Sequence, residues 1–203
     1  MSSEKNTWNK PEHLAPLLAA LGDLSAWLLA EQVAGVVIGG VAASILGRPR
    51  LTRDVDALVL LDEGKWADFL AAGEQFGFKP RLADALVFAR KARVLLVQHE
   101  SSGIDLDLVF GNLPFEKEAV ARAEWVEVGG IRVPLPVPED LIIMKAVAHR
   151  PRDLSDIGSL LDSHPKLDIR KIKQWVQEFS EALEMPEIMS DMESLLSKHR
   201  KKE

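Results

Sequence analysis

Leucine and alanine recur at helical spacing through "HLAPLLAALGDLSAWLLAE", residues 13 to 31, and predict one or two packed helices. The apolar run "GVVIGG", 35 to 40, predicts a short buried strand stopped by two glycines. "VAASILG", 41 to 47, returns to helix formers and ends on Gly47, a natural C-terminal stop. Polar and apolar positions alternate at the start of "DVDALVLL", 54 to 61, and the run then turns wholly apolar, as a strand does on entering a core. "EGKWADFLAAGEQFG", 63 to 77, sets Trp66, Phe69, Leu70 and Phe76 at helical offsets, with a glycine at its end. "ALVFARK" (85 to 91) and "RVLLVQHE" (93 to 100) read as strands, and "SSG" turns the chain into another, "IDLDLVF", at 104 to 110.

"WVEVGGIRVPLPV", 125 to 137, predicts a hairpin around Gly129 and Gly130. From Pro138 the spacing is helical: "PEDLIIMKAVAHR", then "DLSDIGSLLDSH", then residues 168 to 200, with Ile172, Trp175, Val176, Phe179 and Leu183 on one stripe. Aromatic residues at such spacing are core-forming. The order of elements predicts an α+β fold: a mixed β-sheet flanked by helices over residues 1–138, then a helical C-terminal region, 139–203, packed on it. No internal repeat or low-complexity linker interrupts it.

Composition narrows the classes. A chain of 203 residues, 47% hydrophobic and 28% charged, is long enough for one sizeable core and has the balance of a soluble globular protein. The start "MSSEKNTWNKPEH" lacks a signal-peptide core, and no long uncharged apolar stretch follows, so the expectation is a cytoplasmic protein without a membrane partner. With no cysteine, disulfides, thiolate metal sites and cysteine nucleophiles are excluded, and any metal must be held by oxygen or imidazole. A net charge of -6 argues against a protein that coats nucleic acid, while leaving room for a local basic patch. The basic run "KHRKKE" reads as a solvated helix end.

Asp54 and Asp56 are two apart on a predicted strand, hence on one face, and Asp105 and Asp107 repeat the arrangement on another. A buried carboxylate is costly unless a positive or hydrogen-bonding group meets it. Acids converging at one end of a sheet repel each other, and a divalent cation is the usual compensation. Hard oxygen donors suit Mg2+ or Mn2+, which keep positions for water and substrate phosphate. A pair of such ions, about 3.5 to 4 Å apart, can align an attacking oxygen and stabilise a leaving pyrophosphate. Gly39 and Gly40 allow close backbone approach to a ligand, and the helix after them presents N–H groups to phosphate. Either feature alone is ordinary, a strand end or a tight turn; their combination is what points to a site. His99 and His149 are isolated and make no metal centre.

The spacing of Gly-Gly, thirteen residues, then Asp-x-Asp, with a further acidic strand downstream, resembles the DNA polymerase beta-like nucleotidyltransferase superfamily. Its signature is a Gly-Gly or Gly-Ser turn followed by a D-x-D or D-x-E strand. Within it, "VVIGGVAASILGRPRLTRDVDALV" is similar to small bacterial nucleotidyltransferases related to the abortive-infection toxins, which also resemble the aminoglycoside-modifying branch. The resemblance extends to "LDLVFGNLPFE" and "VPEDLIIMKAVAHRPRDLSDI", and so covers roughly residues 30 to 165.

What the resemblance implies is a metal-dependent transfer of a nucleoside monophosphate from an NTP to an acceptor hydroxyl, with release of pyrophosphate. Gly39 and Gly40 then contact phosphates, and Asp54 and Asp56 bind the metals. The third carboxylate, which joins them in holding the metals and helps deprotonate the acceptor, matches Asp107 best; Asp105, on the same face, can substitute or assist as a ligand. Lys145 meets triphosphate charge, and it shares a face with Arg150 only if the helix ends near His149 and Arg150 curls back. Asp153 and Asp156 match a trailing D-x-x-D, a spacing that helix capping alone also produces. The loop of Arg48, Arg50, Thr52 and Arg53 reads either as solvated or as contacting the nucleotide, with Thr52 and Arg53 the candidates and Thr52 placed to hydrogen-bond Asp54.

The acceptor stays open between tRNA, a protein and a small molecule, and toxin-like relatives suggest a toxin with a cognate antitoxin. The alternative is a non-catalytic nucleotide-binding or interaction module on the same fold. The intact Gly-Gly, Asp-x-Asp and third acid speak against it.

Overall fold

The computed structural model describes residues 11–200; most of "MSSEKNTWNKPEH" and the last residues of "KHRKKE" lie outside the described residues. Among the described residues no helix is long and apolar enough to cross a membrane. The described residues divide into two compact units: 11–41 with Arg50–Leu135, and Ala42–Pro49 with 136–200.

The first unit opens on α1 (Pro11–Ala30). That helix closes where Gln32 takes a left-handed φ of 52° and the N–H groups of Val33 and Gln32 donate to Leu28 and Leu29 at 2.9 and 3.2 Å. These bonds satisfy carbonyls that a helix end leaves orphaned. β1 (Ala34–Ile38) runs directly into α2 (Gly39–Leu46), and β2 (Asp54–Leu60) follows the basic loop. After it come α3 (Trp66–Gly73), β3 (Phe78–Pro80), α4 (Ala85–Ala92), β4 (Val94–His99), β5 (Ile104–Phe110), α5 (Pro114–Ala121), β6 (Glu124–Val128) and β7 (Ile131–Leu135).

Five strands form a mixed sheet in the order β1-β2-β5-β4-β3, with β2 and β5 parallel and every other pair antiparallel. β6 and β7 make the separate hairpin that the glycine pair at 129 and 130 predicts. One face of the central strands, with Val55, Ala57 and Val59 on β2 and Leu106, Leu108 and Phe110 on β5, is buried. Trp66 stacks on Phe110 at 3.9 Å, while Trp27 of α1 stacks on Phe69 at 4.2 Å and on Phe78 at 5.3 Å. Gly73 makes room for this indole, since a β-carbon there would stand 2.6 Å from Trp27 Cζ2.

Two local expectations change. "ALVFARK" is the helix α4, because its buried residues are Ala85 and Ala89, four apart, whereas Val87 and Phe88 are exposed. The helix expected over 63 to 77 is α3 flanked by 3-10 turns at Glu63–Lys65 and Glu74–Phe76, and it stops at Gly77, φ 78°. α5 carries Pro at its first position, and Glu116 Oε2 accepts the N–H of Leu113 at 2.8 Å.

The second unit is helical: α6 (Pro138–Ala148), α7 (Pro151–Ser163), α8 (Ile169–Ala182) and α9 (Pro186–Arg200). The single run expected over 168 to 200 breaks after α8, where Glu184 adopts φ 56° and Met185 N–H donates to Ser180 at 3.0 Å. Ile172 and Val176 are buried, but Leu183 at the break is 48% exposed and falls off the stripe. Arg48 ties the short segment to α7, its N–H donating to Ser159 Oγ at 2.7 Å and its guanidinium pairing with Asp162 at 2.9 Å. Gly47 is needed there, because a β-carbon would meet Ser159 Oγ at 2.9 Å.

Candidate active site

Because β2 and β5 run parallel, their starts lie at one end of the sheet, with Asp54 opposite Asp105 and Asp56 opposite Asp107. Side chains alternate along a strand, so the four acids share the face opposite Val55 and Leu106. β1 runs the other way and ends at the same place, Ile38 pairing with Asp56. The glycine turn is thereby delivered to the carboxylates.

The contact is tight. Gly39 has φ 66°, and a β-carbon on it would stand 1.9 Å from Asp56 Oδ2. A β-carbon on Gly40 would stand 2.8 Å from Thr52 Cγ2 and 3.1 Å from Nη2 of Arg50. Both positions therefore require glycine, one for its dihedral and both for space. The turn opens α2, and a helix start is where backbone N–H groups face an anion. Thr52 contributes its methyl to the turn; the hydrogen bond to Asp54 expected of it is not formed among the described residues, and Arg53 is exposed.

A residue that the sequence pattern did not single out meets the acids. Arg81 follows β3, and its N–H donates to Leu96 O at 3.0 Å, prolonging the β3–β4 pairing. Its Nη1 donates to Asp105 Oδ2 at 2.8 Å and its Nη2 to Asp107 Oδ1. Gln98 Nε2 donates to the other oxygen of Asp105 at 2.9 Å. Both oxygens of Asp105 are thus engaged, while Asp107 Oδ2 accepts no hydrogen bond among the described residues. Burial pushes the Asp107 carboxyl up, the charge and hydrogen bond of Arg81 pull it down, and repulsion from Asp54 and Asp105 raises it again; the net direction is up. The repulsion of converging acids pointed to a divalent cation as compensation, and nothing local in the sequence identified Arg81.

By donor chemistry the four hard carboxylates fit Mg2+ or Mn2+. Among the described residues no three acids or histidines stand close enough to form a ready-made metal cage. Two of the four are drawn to Arg81 instead.

The remaining expected residues lie in the second unit. Lys145 is buried, its Nζ 2.9 Å from Asp153 Oδ1 and 2.8 Å from Asp156 Oδ2. α6 ends at His149, φ 50°, and Arg150 does curl back, its Nε donating to Asp153 Oδ2. Asp153 also accepts the N–H of Arg150 at 3.3 Å and so caps α7. Burial pushes the Asp153 carboxyl up, but hydrogen bonds from Arg150 and Lys145 and their charges outweigh it, and the net direction is down. The isolated histidines are satisfied locally: His99 lies 2.7 Å from Ser102 Oγ and 2.8 Å from Asp23, and His149 lies 3.0 Å from Asp191.

A family model described as "Nucleotidyl transferase of unknown function (DUF2204)" matches residues 18–194. No curated protein matches the chain in sequence. Among solved structures, an antigenic nucleotidyltransferase-like protein from Paracoccidioides brasiliensis is similar over 88% of this chain and 91% of its own, at 15% identity and a TM-score of 0.54. The antibiotic-resistance factor ANT(2'')-Ia is similar over 87% of this chain and 95% of its own, at 13% identity and a TM-score of 0.56. At such identities the likeness is one of fold.

Proposed function

The chain belongs to the nucleotidyl transferase family whose model spans it, and on that premise we propose that it moves a nucleoside monophosphate from an NTP to an acceptor hydroxyl. The observation that carries the proposal is the seating of the Gly39 turn against Asp56, beside three further aspartates on one face of the sheet. In this reading Gly39 and Gly40 bring backbone N–H groups to the phosphates, with Thr52 and Arg53 at the rim. Asp54 and Asp56 supply the oxygens that would hold Mg2+ or Mn2+, and Asp107 lies beside them. Such an ion, when bound, supplies charge to neutralise the triphosphate. Asp107, with one oxygen unengaged, accepts the acceptor's hydroxyl proton. The acceptor oxygen bonds to the α-phosphorus as the bond to pyrophosphate breaks. Catalysis rests on positioning and charge.

The resemblance adds Lys145 on the triphosphate. Its ammonium is already paired with two aspartates, so that role asks the pairing to open. The acceptor is a hydroxyl of a tRNA, a protein or a small molecule, and action as a toxin with a cognate antitoxin belongs to the same proposal. Incubation of the chain with each labelled NTP, Mg2+ and total RNA, protein or small-molecule extract tests it, read by mass spectrometry and pyrophosphate release. Nucleotide binding without pyrophosphate across all acceptors would favour the non-catalytic module.

A further inference from the structure

Four carboxylates on one face of a sheet call for positive charge, and the chain brings some of its own. Arg81 is held by the sheet: its backbone prolongs the β3–β4 pairing, and its two terminal nitrogens each take a different aspartate of β5. Acids two residues apart on a strand are about 6 to 7 Å apart. A planar guanidinium with a fixed fork can span them, and it stays charged at any physiological pH. Nε of Arg81 is buried without a hydrogen-bond partner among the described residues, while the side chain as a whole is half-buried. Gln98 fixes the far oxygen of Asp105 at 2.9 Å. The β5 half of the site is thus already a bridged, partly neutralised pair, and Asp54 and Asp56 of β2 lie beside it.

We propose that Arg81 is the resident cation of the Asp105–Asp107 pair and takes the place of a second divalent ion there, so that the chain binds one Mg2+ or Mn2+, on Asp54 and Asp56. This rests on the metal-dependent transfer reading. It makes Asp105 a holder of Arg81, and Arg81 a positioning residue that fixes Oδ1 of Asp107 and leaves Oδ2 to take a proton.

The test is the number of Mn2+ ions bound by the full chain, titrated without nucleotide and followed by loss of the free-ion paramagnetic resonance signal. Wild type is expected to bind one, and Asp56→Asn to bind it far more weakly. Arg81→Ala, with the guanidinium gone, is expected to bind two, and Arg81→Lys to return to one. Thermal melting adds a second readout: Mn2+ should raise the melting temperature of Arg81→Ala more than that of wild type. Should Arg81→Ala not fold without metal, Arg81→Gln carries the same count. Two ions on wild type, or one on both Arg81→Ala and Arg81→Gln, would overturn the proposal. Wild type binding no Mn2+ would instead overturn the metal-dependent reading beneath it.

Discussion

The Asp56 carboxylate fills the space that a side chain on Gly39 would need: a β-carbon on the glycine would stand 1.9 Å from its Oδ2. Gly39→Ala therefore carries two penalties. The left-handed backbone costs a residue with a side chain about 1 to 2 kcal/mol, and the Asp56 carboxylate has to move. A shift of about 1 Å at a reacting centre can cost on the order of a hundredfold in rate. The variant should melt a few degrees lower and lose at least about a hundredfold in labelled-nucleotide transfer. Wild-type turnover would mean that the turn and Asp56 do not act together.

Lys145→Met leaves Asp153 and Asp156 buried without their shared ammonium. Breaking a buried pair by removing one partner costs about 3 to 5 kcal/mol. Urea unfolding should show that loss. A change under about 1 kcal/mol would mean that the cluster is relaxed by water in solution.

The same cluster sets a pH dependence. The folded state holds the Asp153 carboxyl below its ordinary value, so the unfolded chain binds the proton more tightly. Its stabilisation is fully present above the unfolded pKa of about 3.9 and is lost as pH falls through the lower folded value. The stability gap between wild type and Asp153→Asn should narrow with acidification below about pH 4. A constant gap would remove the carboxylate's charge from the explanation.

Gly73→Ala should destabilise by about 1 to 3 kcal/mol without touching the acidic face, since the added methyl meets the buried indole of Trp27 at 2.6 Å. Thermal melts read the loss, and nucleotide transfer below the melting temperature should be unchanged.

What the sequence made legible was local. Gly39, Gly40, Asp54 and Asp56 announce themselves because a sharp turn and a two-residue alternation are short-range signals. The mixed sheet followed by later helices was likewise readable, since the strands of the core alternate and then run apolar. α4 was not, because its buried residues are two alanines while Val87 and Phe88 are exposed, so the window lacks the contrast that marks a helix. β3 is three residues long and ends in Pro80, too short to alternate. Arg81 lay beyond reach for a different reason. Its partners are 24 and 26 residues away, and only the register of β3, β4 and β5 brings them to it. The end of α8 was half legible: Pro186 marks the start of the next helix, but the left-handed Glu184 that closes α8 is a residue with no such preference.

The proposed nucleotidyl transfer depends on the aspartates of β2. Its most direct test compares wild type with Asp54→Ala and Asp56→Ala, each shown to be folded by its melting curve, for transfer of α-labelled nucleotide to extracted RNA, protein or small molecules with Mg2+. Wild type should place a nucleoside monophosphate on an acceptor and release pyrophosphate in equal amount, and neither variant should do so. Undiminished transfer by either folded variant would contradict the account.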